Sequence, residues 1–319
     1  MKRIILSVAL MSMCMSCGGQ KNKNSGEAAA EEPVKIYMPP PMPQMMNDRD
    51  SQARWAVEHY WDNFDFADTT AVANWSIYTE QAFVDFDSQL LMQVPPETGS
   101  EAIAVLFARA AANRPVFDRF AEIAEKYLFD ANSPYRNEDL YIASLNAILA
   151  NPALDQWERI RPQEQLRLAL KNRPGDHAAD FRYTLANGNT GTLHGLKARY
   201  TLLFFNNPGC PACREYIDKI SASQFLSRLI DEGTLRVLAV YTDADIDAWR
   251  EYNTSMPPQW ILSYDAGEVI KNNDTYDLKA IPTLYLLDRD KRVMLKDEMS
   301  IPRIEQTLYD NGRNAAGGF

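Results

Sequence analysis

Two cysteines of this 319-residue chain, in the stretch Asn-Pro-Gly-Cys-Pro-Ala-Cys at 207–213, are the residues best suited to chemistry. The apolar run at 199–205 precedes them and an amphipathic stretch follows, which predicts a buried strand, a short loop and a helix that begins at the pair. Unpaired backbone N–H groups and the dipole at a helix N-terminus favour a thiolate at Cys210, and a thiolate is the species that attacks a disulfide. Cys213 would lie one turn further in, where it could resolve a mixed disulfide.

Two other roles for such a cysteine pair are a structural zinc site and a purely structural disulfide. A structural zinc site needs four nitrogen or sulfur ligands, and the chain has neither a second cysteine pair nor a suitable spacing of His59, His177 and His194. A purely structural disulfide stays open, although closing so short a loop removes little chain entropy. We expect no metal and no cofactor.

The first residues predict export from the cytoplasm. Lys2 and Arg3 precede an apolar run at 4–15 that is too short to span a membrane as a helix. The small residue before Cys17 resembles the lipobox of bacterial lipoproteins, which implies lipidation of Cys17 and a membrane anchor. The alternatives are a plain secretory signal cut nearby, or an apolar start on a cytosolic protein. We expect a lipid-anchored envelope protein that faces the periplasm, with the choice of inner or outer membrane open.

The composition predicts a folded chain that does not bind nucleic acid. Hydrophobic residues make up 46% and charged residues 24% of the sequence, as in ordinary globular proteins. The formal net charge of −10 would repel nucleic-acid phosphates.

Four segments follow from the pattern along the chain: a signal peptide at 1–17, a flexible tether at 18–47, an all-α domain at 48–174 and an α/β domain at 175–319. Apolar residues recur at helical spacing in the third segment, which predicts five to seven helices. Its aromatic residues Trp55, Tyr60, Trp61 and Phe64 fit a core better than a ligand groove.

In the fourth segment, strands alternate with helices, which predicts an α/β sheet with buried parallel strands. The Asn187-Gly188-Asn189 turn indicates a hairpin, and a single helix is expected from the cysteine pair to Gly233. Further strands are predicted at 234–242, 281–288 and 292–296, with a closing helix from residue 301.

The Cys-Pro-Ala-Cys motif after an apolar strand, followed about 70 residues later by Ile281-Pro282-Thr283, resembles the thioredoxin-like superfamily. The hairpin before the motif is similar to that of TlpA/ResA-type envelope oxidoreductases, and the resemblance covers residues 176–312. It implies a central mixed sheet flanked by helices, a cis bond at Pro282, Cys210 as nucleophile and Cys213 as resolving thiol. It also implies that Ile281 and Pro282 bind an extended substrate, and that Pro211 and Ala212 tune the reduction potential.

The chain departs from that family at two positions, and from peroxiredoxins at a third. Gly209 stands where the family usually has tryptophan, and Phe204 stands where thioredoxins have a buried aspartate that accepts the proton of the second thiol. Glu215 is a substitute proton acceptor by proximity in sequence only. Asn207 occupies the position where peroxiredoxins have threonine or serine.

The leading hypothesis is a periplasmic, membrane-anchored thiol–disulfide oxidoreductase that acts on protein thiols or disulfides and exchanges electrons with a redox partner protein. Reductase and oxidant directions stay open because they differ only in reduction potential. The alternatives are a peroxiredoxin-like peroxidase and a non-catalytic lipoprotein that binds a partner through its helical domain.

Overall fold

The structure is a computed structural model that describes residues 36–69 and 78–316. The predicted signal peptide, Cys17 and residues 18–35 of the predicted tether lie outside these ranges. Within the described residues, no helix is both long enough and apolar enough to cross a membrane.

The N-terminal part of the described chain is helical, as predicted. Its α-helices within the described residues are α1 (Arg49–His59), α2 (Thr79–Asp85), α3 (Pro96–Ala110), α4 (Arg114–Ala124), α5 (Glu138–Ala150) and α6 (Ile160–Ala169). Short 3-10 or π turns follow three of them, at Tyr60–Asn63, Phe86–Leu90 with Leu91–Gln93, and Glu125–Phe129.

An aromatic core holds these helices together. Tyr60, Trp61 and Phe64 are buried, and Trp61 packs edge-on against Phe120 with ring centroids 5.3 Å apart. The expectation of a core is therefore met at these three residues, whereas Trp55 is only half-buried and stacks on His59.

The tether prediction is wrong at its C-terminal end. Tyr37, inside the segment predicted to be flexible, is buried and stacks on Trp61 with ring centroids 5.6 Å apart. Its hydroxyl donates to the carbonyl of Tyr60. Burying a large aromatic side chain stabilises the packed position, so any free spacer ends before Tyr37.

The C-terminal part forms one mixed seven-stranded sheet flanked by helices, which confirms the predicted fold class. Its strands are β1 (Arg182–Leu185), β2 (Thr190–Thr192), β3 (Tyr200–Phe205), β4 (Leu235–Tyr241), β5 (Ile261–Tyr264), β6 (Thr283–Leu287) and β7 (Val293–Lys296). Its helices are α7 (Pro211–Ala222), α8 (Gln224–Asp231), α9 (Ile246–Asn253), α10 (Val269–Asn272) and α11 (Ile301–Ala316).

The strand order is β2-β1-β5-β4-β3-β6-β7. Strands β3, β4 and β5 are parallel, whereas β6, β7 and the β1–β2 hairpin pair in antiparallel fashion. Every residue of β3 is buried, because side chains from helices and from loops pack on both faces of the sheet at its centre. The end of β3 and the start of β6 therefore lie side by side, at Phe205 and Thr283.

The structure corrects two details of the predicted second half. The single helix expected up to Gly233 is two helices, because Ser223 adopts an extended conformation and its hydroxyl caps α8 by accepting from the Leu226 amide. Strand β5 was missed, because it has only four residues, fewer than a typical strand, and because apolar and polar side chains do not clearly alternate in it.

Ionic contacts join the helical part to β7 and the residues around it. The Lys296 ammonium donates to the carbonyls of Ala169 and Lys171, both at 2.8 Å, and pairs with the Glu138 carboxylate at 2.9 Å. Arg136 pairs with Asp297 at 2.8 Å. These contacts place the helical part against the sheet edge that β6 and β7 form.

Candidate active site

The cysteine pair lies where strand β3 passes through a short loop into helix α7. Cys210 is the N-cap of that helix, and its sulfur accepts a hydrogen bond from the Cys213 amide at 3.1 Å. The two residues form a disulfide with Cα atoms 5.2 Å apart. Cys213 is completely buried, whereas Cys210 is only half-buried. A nucleophile at this N-terminus would thus be reachable while its partner stays shielded.

The loop before β6 faces the sulfur of Cys210. The bond between Ile281 and Pro282 is cis, as the family resemblance implies. The carbonyl oxygen of Ile281 lies 3.7 Å from the Cys210 sulfur. The hydroxyl of Thr283 donates to the carbonyl of Ala280 at 2.5 Å and closes the turn. Residues 71 positions apart in sequence are thereby brought together, because β3 and β6 are neighbours in the sheet.

The two residues between the cysteines form the first turn of α7. Pro211 suits this position because the missing N–H of proline has no partner at a helix start. Pro211 and Ala212 are both exposed. They lie beside the sulfurs and carry no charge. Any effect of these two residues on the reduction potential of the cysteine pair therefore comes through the backbone geometry of the turn and the access of solvent to the sulfurs.

Cys213 belongs to an apolar cluster that includes Phe204, Ile217 and Leu284. Phe204 is fully buried and meets Trp260 edge-on, with ring centroids 5.8 Å apart. The position that carries an aspartate in thioredoxins is therefore part of the packed core.

The structure also argues against Glu215 as proton acceptor for Cys213. Its carboxylate pairs with Lys219 at 2.7 Å on the exposed side of α7, and 60% of its side chain is accessible. Cys213, by contrast, faces the apolar core that packs on the sheet.

Gly209 has a backbone reason to be glycine. Its φ of +71° lies in the left-handed region, which costs other residues strain, and no atom lies within 4 Å of where a Cβ would stand. The absence of the usual tryptophan therefore leaves open space in front of Cys210.

Polar contacts that sequence reasoning missed hold the loop before the cysteines. The Asn207 amide donates to Asp243 at 3.0 Å, and the same carboxylate binds Lys271 at 2.5 Å. The Asn206 amide donates to the carbonyl of Phe204 at 3.1 Å. Two consecutive asparagines at the end of a buried strand were the available signal, but Asp243, the partner of Asn207, lies 36 residues further along the chain.

The three histidines lie apart from the cysteine pair and make local contacts. His59 binds Asp62, His177 contacts the carbonyl of Asp290, and His194 contacts the carbonyl of Ala178. Across residues 36–69 and 78–316, no cluster of three His, Cys, Asp or Glu side chains is placed to hold a metal ion.

Comparisons with known proteins agree with this architecture. Residues 198–293 match the model of a thioredoxin-like domain, and residues 16–172 match a domain of unknown function, DUF5106. No curated protein matches the chain.

Solved structures provide further similarities. A thioredoxin-like protein from Bacteroides caccae is 45% identical, covers 87% of this chain and 99% of its own, and superposes with a TM-score of 0.83. The C-terminal domain of an uncharacterized protein from Bacteroides fragilis is 46% identical over 43% of this chain and 98% of its own, with a TM-score of 0.42. The thioredoxin domain of a thiol-disulfide oxidoreductase from Bacteroides vulgatus is 20% identical, covering 44% of this chain and 96% of its own with a TM-score of 0.38.

The Bacteroides caccae structure is matched over nearly its whole length, so the similarity includes the helical part as well as the sheet. The mixed sheet, the cysteine pair at a helix N-terminus and the cis-proline loop beside it agree with that match. This chain belongs to the thioredoxin-like family.

Proposed function

We propose that the protein is a thiol–disulfide oxidoreductase that acts on protein substrates through Cys210 and Cys213. The observation that carries the proposal is the half-buried Cys210 sulfur, held at the N-terminus of α7 and 3.7 Å from the Ile281 carbonyl. The helix N-terminus stabilises a thiolate there, and the loop beside it offers backbone groups to an extended chain. Substrate binding at Ile281 and Pro282 forms part of the proposal.

In the reductive direction, the Cys210 thiolate attacks one sulfur of a substrate disulfide. A mixed disulfide forms, and the second substrate sulfur leaves as a thiolate. The Cys213 thiolate then attacks the Cys210 sulfur and releases the first substrate sulfur. The substrate gains two electrons from the protein, one proton from Cys213 and one proton from water, because Cys210 reacts as a thiolate. The protein keeps the Cys210–Cys213 disulfide, and a dithiol protein must reduce that disulfide for another cycle. The oxidative direction is the reverse.

The proton of Cys213 needs an acceptor, and Phe204 and Glu215 do not provide one. The substrate thiolate that leaves in the first step is basic enough to take this proton, since an ordinary thiol has a pKa of about 8.5. Proton transfer from Cys213 to the leaving thiolate, directly or through water, would complete the exchange without a buried carboxylate.

The first test measures the reduction potential of the Cys210–Cys213 pair in glutathione buffers. The reduced fraction is read from the mass shift that alkylation of the free thiols produces. A value near that of thioredoxin, about −270 mV, would indicate a reductase, and one near about −120 mV would indicate an oxidant of folding proteins. A pair that exchanges at no buffer ratio would refute the proposed activity.

We also propose that the protein is lipid-anchored at Cys17 and faces the periplasm, on the basis of the signal run and the Ser16-Cys17 pair. Replacing Cys17 by serine should move the protein from the membrane to the soluble fraction. A Cys17→Ser protein that still fractionates with membranes would contradict the lipid anchor.

A further inference from the structure

A cleft of about 550 Å³ lies between the helical part and the loop that leads to Pro282. One side is formed by Phe129, the last residue of the turn that follows α4, and by Asp130 and Asn132 just beyond that turn. Lys279 and Ala280 form the other side. The walls of the cleft therefore come from the helical part, which has no assigned role, and from the loop beside Cys210.

Lys279 fixes the two sides of this cleft relative to each other. Its ammonium lies 4.7 Å from the centroid of the Phe129 ring, 3.0 Å from the Asp277 carboxylate and 3.6 Å from the Asp297 carboxylate. Asp277 and Asp297 are both buried, so these charge contacts are shielded from water. The helical part thus forms a defined wall beside the loop before Pro282.

The cleft and the proposed reaction site share one loop, because neighbouring residues of that loop line the two sites. Ala280 lines it, and the next residue, Ile281, places its carbonyl oxygen 3.7 Å from the Cys210 sulfur. An extended chain advances about 3.3 Å per residue. A polypeptide whose cysteine reaches Cys210 would therefore enter the cleft within a few residues of that cysteine.

The charges of the cleft favour a basic residue in that polypeptide. Its two lysines already have carboxylate partners, Glu80 for Lys126 and the buried aspartates for Lys279. Asp130 is exposed, and among the described residues its carboxylate accepts hydrogen bonds only from the backbone and side-chain amides of Asn132. Glu122 and Glu125 also line the cleft, but they pair with Arg119 and Arg161. Asp130 is thus the acidic group of the cleft that the described residues leave to pair with a cation from outside.

We propose that this cleft binds the segment that flanks the reacting cysteine of a protein substrate, and that Asp130 selects segments with a lysine or arginine close to that cysteine. The inference rests on the proposed function and gives the helical part a role in substrate choice. Small disulfides react at Cys210 without entering the cleft, so their exchange depends on the cysteine pair alone.

The test uses the reduced protein in single-turnover exchange with glutathione disulfide and with three disulfide-bonded peptides. The peptides are identical except that the residues flanking the cysteine are lysine, glutamine or glutamate. Asn132→Trp fills the cleft from an exposed position. We expect it to lower the rate of exchange with the lysine peptide about tenfold and to leave the rate with glutathione disulfide unchanged. Gln163→Trp places the same ring at an exposed position of α6 outside the cleft and serves as the matched control.

A second variant tests the charge without filling space. Asp130→Asn keeps an oxygen that can accept the Asn132 amides, so the turn should persist. It should lower the preference for the lysine peptide over the glutamate peptide about two- to fivefold, as expected for an exposed charge pair. Equal rates for the three peptides with the unmodified protein, or equal effects of both tryptophan variants, would overturn the cleft proposal. If the unmodified protein does not exchange with glutathione disulfide at all, the oxidoreductase activity is refuted, and the cleft proposal with it.

Discussion

Replacing Lys296 by methionine tests how strongly the helical part and the sheet are joined. The Lys296 side chain is 4% exposed, and its ammonium holds the carbonyls of Ala169 and Lys171 together with the Glu138 carboxylate. Burial lowers the pKa of Lys296 and raises the pKa of Glu138, although the two groups attract each other. The pair is therefore buried deeply enough for its loss to be costly.

The expected loss follows from the groups that Lys296→Met leaves behind. Methionine keeps most of the volume of the lysine stem, so the packing cost is small. The carbonyls at the end of α6 lose a cation at a favourable helix terminus, and Glu138 keeps its charge without a partner. Breaking such a buried pair costs about 3–5 kcal/mol, a large part of the 5–15 kcal/mol that is typical of folded proteins.

The measurement is the free energy of unfolding in urea, followed by circular dichroism and by tryptophan fluorescence. Lys219→Met is the matched control, because Lys219 also pairs with a glutamate, at 2.7 Å, but its side chain is 47% exposed. That pair is worth less than about 0.5 kcal/mol. Adding Glu138→Gln to Lys296→Met should recover part of the loss, since it removes the unpaired charge.

Similar losses for Lys296→Met and Lys219→Met would refute the reasoning, because burial would then not decide the value of the pair. A loss at Lys296 that Glu138→Gln makes larger would refute the assignment of the cost to the unpaired carboxylate.

Three further predictions concern single residues. Burial raises the pKa of Asp87 from 3.8 to about 7, so its contribution to stability is greatest below pH 4 and falls as the pH rises to 7, by at most about 4 kcal/mol at 1.36 kcal/mol per pH unit. Urea titrations from pH 4 to pH 8 should show that Asp87→Asn removes this loss, and an unchanged pH profile would contradict it. In the reduced protein near pH 7, Cys210 should be alkylated about tenfold faster than the buried Cys213, as mass spectrometry of the peptides can measure; faster reaction at Cys213 would reverse the proposed roles. Gly209→Ala should cost about 1 kcal/mol of unfolding free energy because of the positive φ, whereas no loss would mean that the loop relaxes.

Local patterns predicted the elements around the candidate site. The apolar run of β3 is fully buried, the asparagine–glycine turn joins β1 to β2, and the Cys-Pro-Ala-Cys stretch begins a helix. These predictions succeed because side-chain burial, turn geometry and helix capping depend on residues close in sequence. The family resemblance added the cis bond at Pro282.

Weak local patterns in the sequence explain why strand β5, the break at Ser223 and the packing of Tyr37 were not predicted. Strand β5 is short and paired on both sides, so its neighbours in the sheet stabilise a segment with little pattern of its own. Ser223 stops one helix and caps the next. Tyr37 lies among methionines and prolines that suggest a spacer, yet it packs on residues 23 and more positions away.

The sequence by itself determined the fold class and the position of the cysteine pair, since each depends on short-range periodicity and on one motif. Only the tertiary structure decided what surrounds that pair. Lys279 meets Phe129 across 150 positions, and Lys296 meets Glu138 across 158. Contacts between charged and aromatic residues so far apart have no period or spacing in the sequence, because the packing of two separately patterned regions brings them together.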